Sequence, residues 1–255
     1  MDVTTLGFSG PVVSRLGLGT ASIGRPGYIN EGHSVDLGGK TDKASMQTNA
    51  FAVLDTARQL GVTYFDAARS YGDAEKFLAA WLQRLARSGG ELADVTVGSK
   101  WGYRYVADWK VDAVKHEIKD HSLPMFERQY SETNHILGSH LDLYQIHSVT
   151  PDSPVLSSPE TLRRLAELKE SGVLIGLTTS GPFQARIIRK ARTILEGSKP
   201  LFDVVQSTWN VLEPSAGPAL QEANDAGVGV IIKEALANGR LTSRGDFSRQ
   251  LSGSG

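Results

Sequence analysis

VTYFDAARSYGDAE, residues 62–75, decides how this 255-residue chain is read. Val62–Asp66 is a short apolar, β-type run that ends on a carboxylate. Before it, Ala44–Leu60 sets Met46, Ala50, Val53, Leu54, Ala57 and Leu60 on one helical face, and Gly61 stops that helix. After it, Asp73 is the expected N-cap of a helix with apolar positions at Phe77, Leu78, Trp81, Leu82 and Leu85. Helix, strand, polar loop and helix in this order are the repeating unit of parallel α/β proteins.

The unit recurs in both directions. Leu16–Thr20 reads as a strand. A hairpin of Val3–Phe8 and Val12–Ser14, turned by Ser9-Gly10-Pro11, precedes it, and a polar, Gly-rich loop from Gly24 to Lys40 follows. Downstream strands are expected at Asp94–Ser99, Leu141–Ile146, Val173–Thr179, Phe202–Gln206 and Val228–Ile232. Helices are expected over Val111–Gly138 (interrupted near Pro124), from Ser158-Pro159 to Gly172, over Phe183–Leu195 and over Ala219–Ala226. Apart from the hairpin this makes seven strands, whereas a closed (β/α) barrel needs eight. Residues 233–255 read as polar loop. The expected fold is therefore α/β: a TIM-type (β/α)8 barrel with an N-terminal β-hairpin that lacks the eighth β/α unit. It would form one domain over 1–255, C-terminally truncated or rearranged. An open doubly wound sheet is the competing architecture. An open barrel leaves two unpaired strand edges, which favour association.

Composition removes several function classes. Lys plus Arg number 27 against 28 Asp plus Glu, so bulk charge offers nothing to nucleic acid or an anionic membrane. The absence of cysteine excludes disulfides, thiolate catalysis and Cys-ligated metals. No signal peptide or apolar span stands out, so a cytoplasmic location is expected. Gly17, Gly19 and Gly24 are spaced wrongly for a dinucleotide fingerprint. His116-Glu117 with His121 misses the zinc-protease spacing and reads as a solvated helix face. No G-x-S-x-G elbow or Walker loop occurs.

Polar residues fall where a barrel keeps its active site, at strand C-termini and the loops that follow. Asp66 ends VTYFD, Tyr71 lies in the next loop, Lys100 ends DVTVGSK, and His147 ends LDLYQIH. Singly, each has a bland explanation: a cap, a packing ring, a solvated amine, a structural imidazole. Together they permit a specific chemistry. A phenol is a poor acid near neutrality, and an adjacent ammonium lowers its pKa. Lys100 is expected to do this for Tyr71, with Asp66 holding Lys100 in place. Tyr71 could then exchange a proton with an alkoxide, and His147 could hydrogen-bond and orient a carbonyl.

These motifs resemble the aldo-keto reductase family. FDAARSYGDAE (65–75), GSKWG (98–102), LDLYQIHS (141–148) and LGLGTASIG (16–24) resemble its Asp–Tyr, Lys, His and first-strand segments. GLTTSG (176–181) resembles the Ser-Asn that contacts the nicotinamide carboxamide; Ser180 matches and Gly181 replaces the Asn. VVQSTWN (204–210) resembles Gln-x-x-Tyr-Asn; Gln206 and Asn210 match, and Trp209 stands in for the stacking Tyr. KEALANGRLT (233–242) resembles the loop over the cofactor pyrophosphate, with Leu236, Asn238, Gly239 and Leu241 in place.

The resemblance implies a metal-free oxidoreductase using NADP (NADPH), with NAD as an option. It would interconvert an aldehyde, ketone or aldose and the alcohol, with Tyr71 as general acid/base beside Asp66, Lys100 and His147. Cofactor contacts are expected at Thr20, Ala21, Asp66, Ser180, Gln206, Trp209, Leu236, Asn238, Gly239 and Leu241. A small carbonyl or sugar is the expected partner, and a monomer the expected state. The polar loop residues Tyr28, Asn30, Glu31 and His33 suggest a sugar-like substrate. The missing eighth unit leaves alternatives open: a nucleotide-binding regulatory module, or an inactive form with a vestigial site.

Overall fold

The computed structural model describes residues 1–27, 33–243 and 245, without the side chains of Ser34 and Val35. The loop residues Tyr28, Asn30 and Glu31 lie outside the described residues, as do residues 244 and 246–255 of the polar C-terminal stretch.

An antiparallel hairpin opens the chain, β1 (Val3–Thr5) and β2 (Val12–Ser14). Then come β3 (Gly17–Gly19), the short helices α1 (Ala21–Gly24) and α2 (His33–Asp36), and α3 (Lys43–Gln59). Strand β4 (Tyr64–Asp66), helix α4 (Ala74–Arg87) and strand β5 (Thr96–Trp101) follow. A second antiparallel hairpin, β6 (Tyr103–Tyr105) and β7 (Glu117–Lys119), leads into α5 (Leu123–Leu137). The rest is β8 (Leu143–Val149), α6 (Pro159–Glu170), β9 (Leu174–Thr179) and α7 (Gln184–Arg192). A small hairpin of β10 (Leu195–Glu196) and β11 (Lys199–Pro200) precedes β12 (Val204–Thr208), α8 (Gly217–Asp225) and β13 (Gly229–Lys233).

Seven strands form one parallel sheet in the order β13-β12-β9-β8-β5-β4-β3. This is the curled sheet of the TIM-barrel class. Among the described residues no eighth strand joins it, and β3 and β13 each pair on one side only. The α/β expectation and the seven-strand count agree with the structure. Alternation along the strands sorts the core. Phe65, Val97, Tyr144, Ile146, Ile175, Leu177 and Val205 pack outward with the helices. Tyr64, Leu143 and Val204 point inward and meet Leu6 and Val13 of the hairpin. That hairpin plugs the N-terminal end of the sheet.

Four sequence expectations need correction. Helix fills only the second half of the stretch 111–138: β7 occupies Glu117–Lys119, and the helix begins only at Leu123. Pro124 starts this helix rather than interrupting it, because Ser122 caps the first turn and a proline there forgoes a hydrogen bond no residue would have made. The run from His116 to His121 is therefore strand and loop, and His121 is buried. Asp73 does precede α4, but its carboxylate pairs with Lys43 (3.0 Å) and Lys76 (2.8 Å) instead of capping the helix.

Candidate active site

Strand register builds the site. Gly19 lies beside Asp66, Asp66 beside Gly98, and Lys100 beside Gln145 in the parallel ladder. Asp66, Lys100, Gln145 and Gln206 all project inward, above the layer of Tyr64, Leu143 and Val204. Gly98 is required by this crowding. A Cβ there would stand 2.6 Å from the Tyr64 hydroxyl and 3.3 Å from the Asp66 carboxylate.

The Asp66 carboxylate is saturated with donors. One oxygen accepts from the Tyr64 hydroxyl (3.0 Å) and the Gln145 amide (3.2 Å). The other accepts from the Lys100 ammonium and the Gln206 amide (3.2 Å). Lys100 is about 1% exposed and also donates to the Ala67 carbonyl at 3.0 Å. A buried ammonium without such partners would be strongly unfavourable. The Thr20 amide and hydroxyl both donate to the Asp66 carbonyl, at 2.9 and 3.0 Å, which fixes the end of β3 against the end of β4.

Tyr71 and His147 face each other across this base. The phenol oxygen lies 3.5 Å from His147 Nε2, and Ser70 Oγ lies 3.5 Å from Nδ1. A β-bulge aims His147. The β8–β9 register breaks between Ile146 and Val149, Ser148 takes a φ of +52°, and the Ser148 amide donates to Thr178 Oγ1 at 2.7 Å. Burial, then the positive charge of Lys100, holds the imidazole well below its usual pKa, so it is neutral at physiological pH.

The Lys100 ammonium is 5.0 Å from the centroid of the Tyr71 ring. Tyr71 nonetheless stays above its ordinary range, pushed up by burial and then by the charge of Asp66. This overturns the expectation that Lys100 lowers it. The carboxylate paired to Lys100 cancels most of the ammonium's field at the phenol.

The remaining residues named from sequence line the ends of β9, β12 and β13. Ser180 is half-buried after β9, and Trp209 is about 45% exposed after β12. Asn210 takes the amides of Leu212 (2.8 Å) and Glu213 (3.0 Å) and donates to the Glu234 carbonyl (2.9 Å). Leu236, Asn238, Gly239 and Leu241 form a turn in which Ala237, Asn238 and Gly239 all have positive φ. Ala21 is buried in α1. Of the sequence candidates, Thr20, Asp66, Tyr71, Lys100, His147 and Gln206 are brought together by direct contacts.

Sequence reasoning missed several participants. Tyr64 and Gln145 share the inward parity of Asp66 and His147, so alternation could have found them. Arg25, Glu117 and His121 carried no such signal. Arg25 is buried, binds Glu117, and donates to the Ser70 carbonyl at 3.1 Å. His121 Nε2 donates to the His147 carbonyl at 2.8 Å.

The model of the Aldo/keto reductase family matches residues 15–254. Aldo-keto reductase str7 of Strobilurus tenacellus is 24% identical over 246 residues, spanning 96% of this chain and 64% of that protein. The uncharacterized oxidoreductase YrpG of Bacillus subtilis (strain 168) is 27% identical over 94% of this chain and 68% of its own. The chain thus spans about two thirds of the length of these curated relatives. Among solved structures, PA4992 of Pseudomonas aeruginosa, assigned as an aldo-keto reductase, shares 25% identity at a TM-score of 0.69, covering 94% of this chain and 81% of that one. The glycerol dehydrogenase AKR11B4 of Gluconobacter oxydans shares the fold at 21% identity and a TM-score of 0.63, over 96% and 66%. With the family model matched over residues 15–254, and so over the whole curled parallel sheet, this chain belongs to the aldo/keto reductase family.

Proposed function

We propose that the protein interconverts a small carbonyl compound and its alcohol, using NADPH or NADH as the hydride partner. The observation that carries this reading is a partly buried phenol kept protonated 3.5 Å from a neutral imidazole, above a buried lysine–aspartate pair. In reduction, a carbonyl oxygen seated between Tyr71 and His147 becomes an alkoxide as hydride arrives. Tyr71 gives it the proton, a transfer worth roughly 10²–10⁴-fold in rate. A Ser70 hydroxyl that donates to Nδ1 leaves the His147 ring proton on Nε2, free to orient the carbonyl. The Asp66–Lys100 pair holds the floor beneath them.

The residues present fit the nicotinamide end of such a cofactor. The Trp209 indole offers an open face, since Gly217 packs against its edge and a Cβ there would approach Nε1 to 2.9 Å. Ser180 supplies a hydroxyl at the end of β9, and the left-handed turn at Ala237–Gly239 follows β13. The cofactor, when bound, supplies the hydride. A sugar-like or simple aldehyde substrate, and a monomer in the cytoplasm, complete the proposal. Tyr71→Phe should reduce kcat with NADPH and an aldehyde panel by at least about 10²-fold while NADPH fluorescence titration still shows binding; a fully active variant would sink the mechanism. Binding of NADPH by the wild type without turnover of any carbonyl would favour a regulatory module.

A further inference from the structure

The hairpin β6–β7 stands outside the parallel sheet yet reaches both halves of the candidate site. Its second strand sets Glu117 on the buried guanidinium of Arg25. The same Arg25 nitrogen donates to the carbonyl of Ser70, the residue before Tyr71. Its guanidinium carbon lies 5.7 Å from the centroid of the Tyr71 ring. Around this contact the Gly24 carbonyl accepts from the Asp73 amide at 2.8 Å, so α1 brackets the turn Ser70–Asp73 from both sides. Two residues beyond β7, His121 binds the His147 carbonyl. Gly102 makes room for that ring, for a Cβ there would stand 2.3 Å from it.

We propose that the Arg25–Glu117 ion pair is a positioning clasp for Tyr71: it fastens the turn that carries the phenol and balances the charge beside its ring. This rests on Tyr71 being the proton donor. A bare Arg25 would favour the phenolate, and a bare Glu117 would oppose it; paired, they leave the phenol protonated while still holding its turn. Among the described residues, the other charged or titratable groups around Tyr71 include Tyr64 and Asp66 from β4, Lys100 from β5, His147 from β8 and Glu234 beyond β13. Among these neighbours Asp66, Glu117 and Glu234 push the phenol up and Arg25 pulls it down. Losing one member of the pair should therefore move Tyr71 in the opposite direction from losing the other.

The test is titration of the intact protein labelled with ¹³Cζ-tyrosine, with the Tyr71 signal assigned by its loss in Tyr71→Phe. In Glu117→Gln the ionisation of Tyr71 should move to lower pH, and in Arg25→Met to higher pH. The double variant should return toward wild type, and Arg25→Lys should retain the wild-type titration. With an active carbonyl substrate, each single loss of charge should lower kcat about tenfold, with the pH profile moving as the titration does and the KM for NADPH unchanged. If Arg25→Met does not fold, Glu117→Gln decides alone, since it keeps shape and hydrogen bonding. A Tyr71 that titrates in Glu117→Gln as in wild type overturns the clasp, even if melting shows lost stability. Absence of turnover by the wild type overturns the reductase reading instead, and the titration still judges the clasp.

Discussion

The inner face of the sheet has two layers built on the same strands. The lower layer, Tyr64, Leu143 and Val204 with Leu6 and Val13 of the plug, is apolar except for one phenol. Two residues further along those strands, the upper layer is Asp66, Gln145 and Gln206, joined by Lys100 from β5. The backbone is continuous through both, so the difference lies wholly in side chains. Below, exclusion of water stabilises the fold, at roughly 1.5–3 kcal/mol for each large apolar side chain. Above, both oxygens of the buried Asp66 carboxylate have been given donors. Tyr64 joins the layers, since its ring packs below while its hydroxyl binds Asp66.

The sharpest way to break this contrast is Asp66→Leu. It would leave the Lys100 ammonium buried with only the Ala67 carbonyl, and chemical denaturation should show a loss of about 3–5 kcal/mol. The matching change below is Leu143→Ala, expected to cost about 2–4 kcal/mol by the same measurement through the cavity it opens. Its kcat pH profile should stay that of the wild type; a shifted profile would mean the layers are not separable. Acid titration brings in the two buried histidines beside the upper layer. His147 lies well below the ordinary histidine pKa, and His121 is pushed by burial down to about 4. Both are neutral in the folded protein, while in the unfolded chain they take up protons below about 6.5. The unfolded state then binds more protons, so stability should fall as pH drops from about 6.5 toward 4. His121→Gln should flatten part of that slope, as followed by denaturation across the range. The smallest effect should come from Gln145→Leu, which removes one of four donors to Asp66; about 1–2 kcal/mol is expected by calorimetry, with the fold intact.

Much of this arrangement is legible along the chain. Periodicity reveals the alternation of strands and helices, because each element must bury one face. Asp66, Lys100 and His147 stand out since each is a polar residue ending an apolar run. Tyr64 and Gln145 share their parity and were open to the same reasoning. The segment 111–121 reads differently: its pattern suits a helix face, and only pairing across the hairpin selects strand at Glu117–Lys119. Asp73 shows the limit at single-residue scale. The sequence marks a helix start there, while Lys43, thirty residues earlier, takes the carboxylate for an ion pair.

The sequence by itself determined which residues are apolar and at what period, and from that the parallel sheet, its seven strands and the residues at their ends. Only the tertiary structure decided what those ends meet. Arg25 and Glu117 are 92 residues apart, and their pairing depends on where the end of α1 and the β6–β7 hairpin come to rest. The direction of the Tyr71 shift likewise depends on Asp66 neutralising Lys100 in space. Local pattern is set by burial of neighbouring residues, whereas charge acts through distance, and distance exists only once the chain has folded.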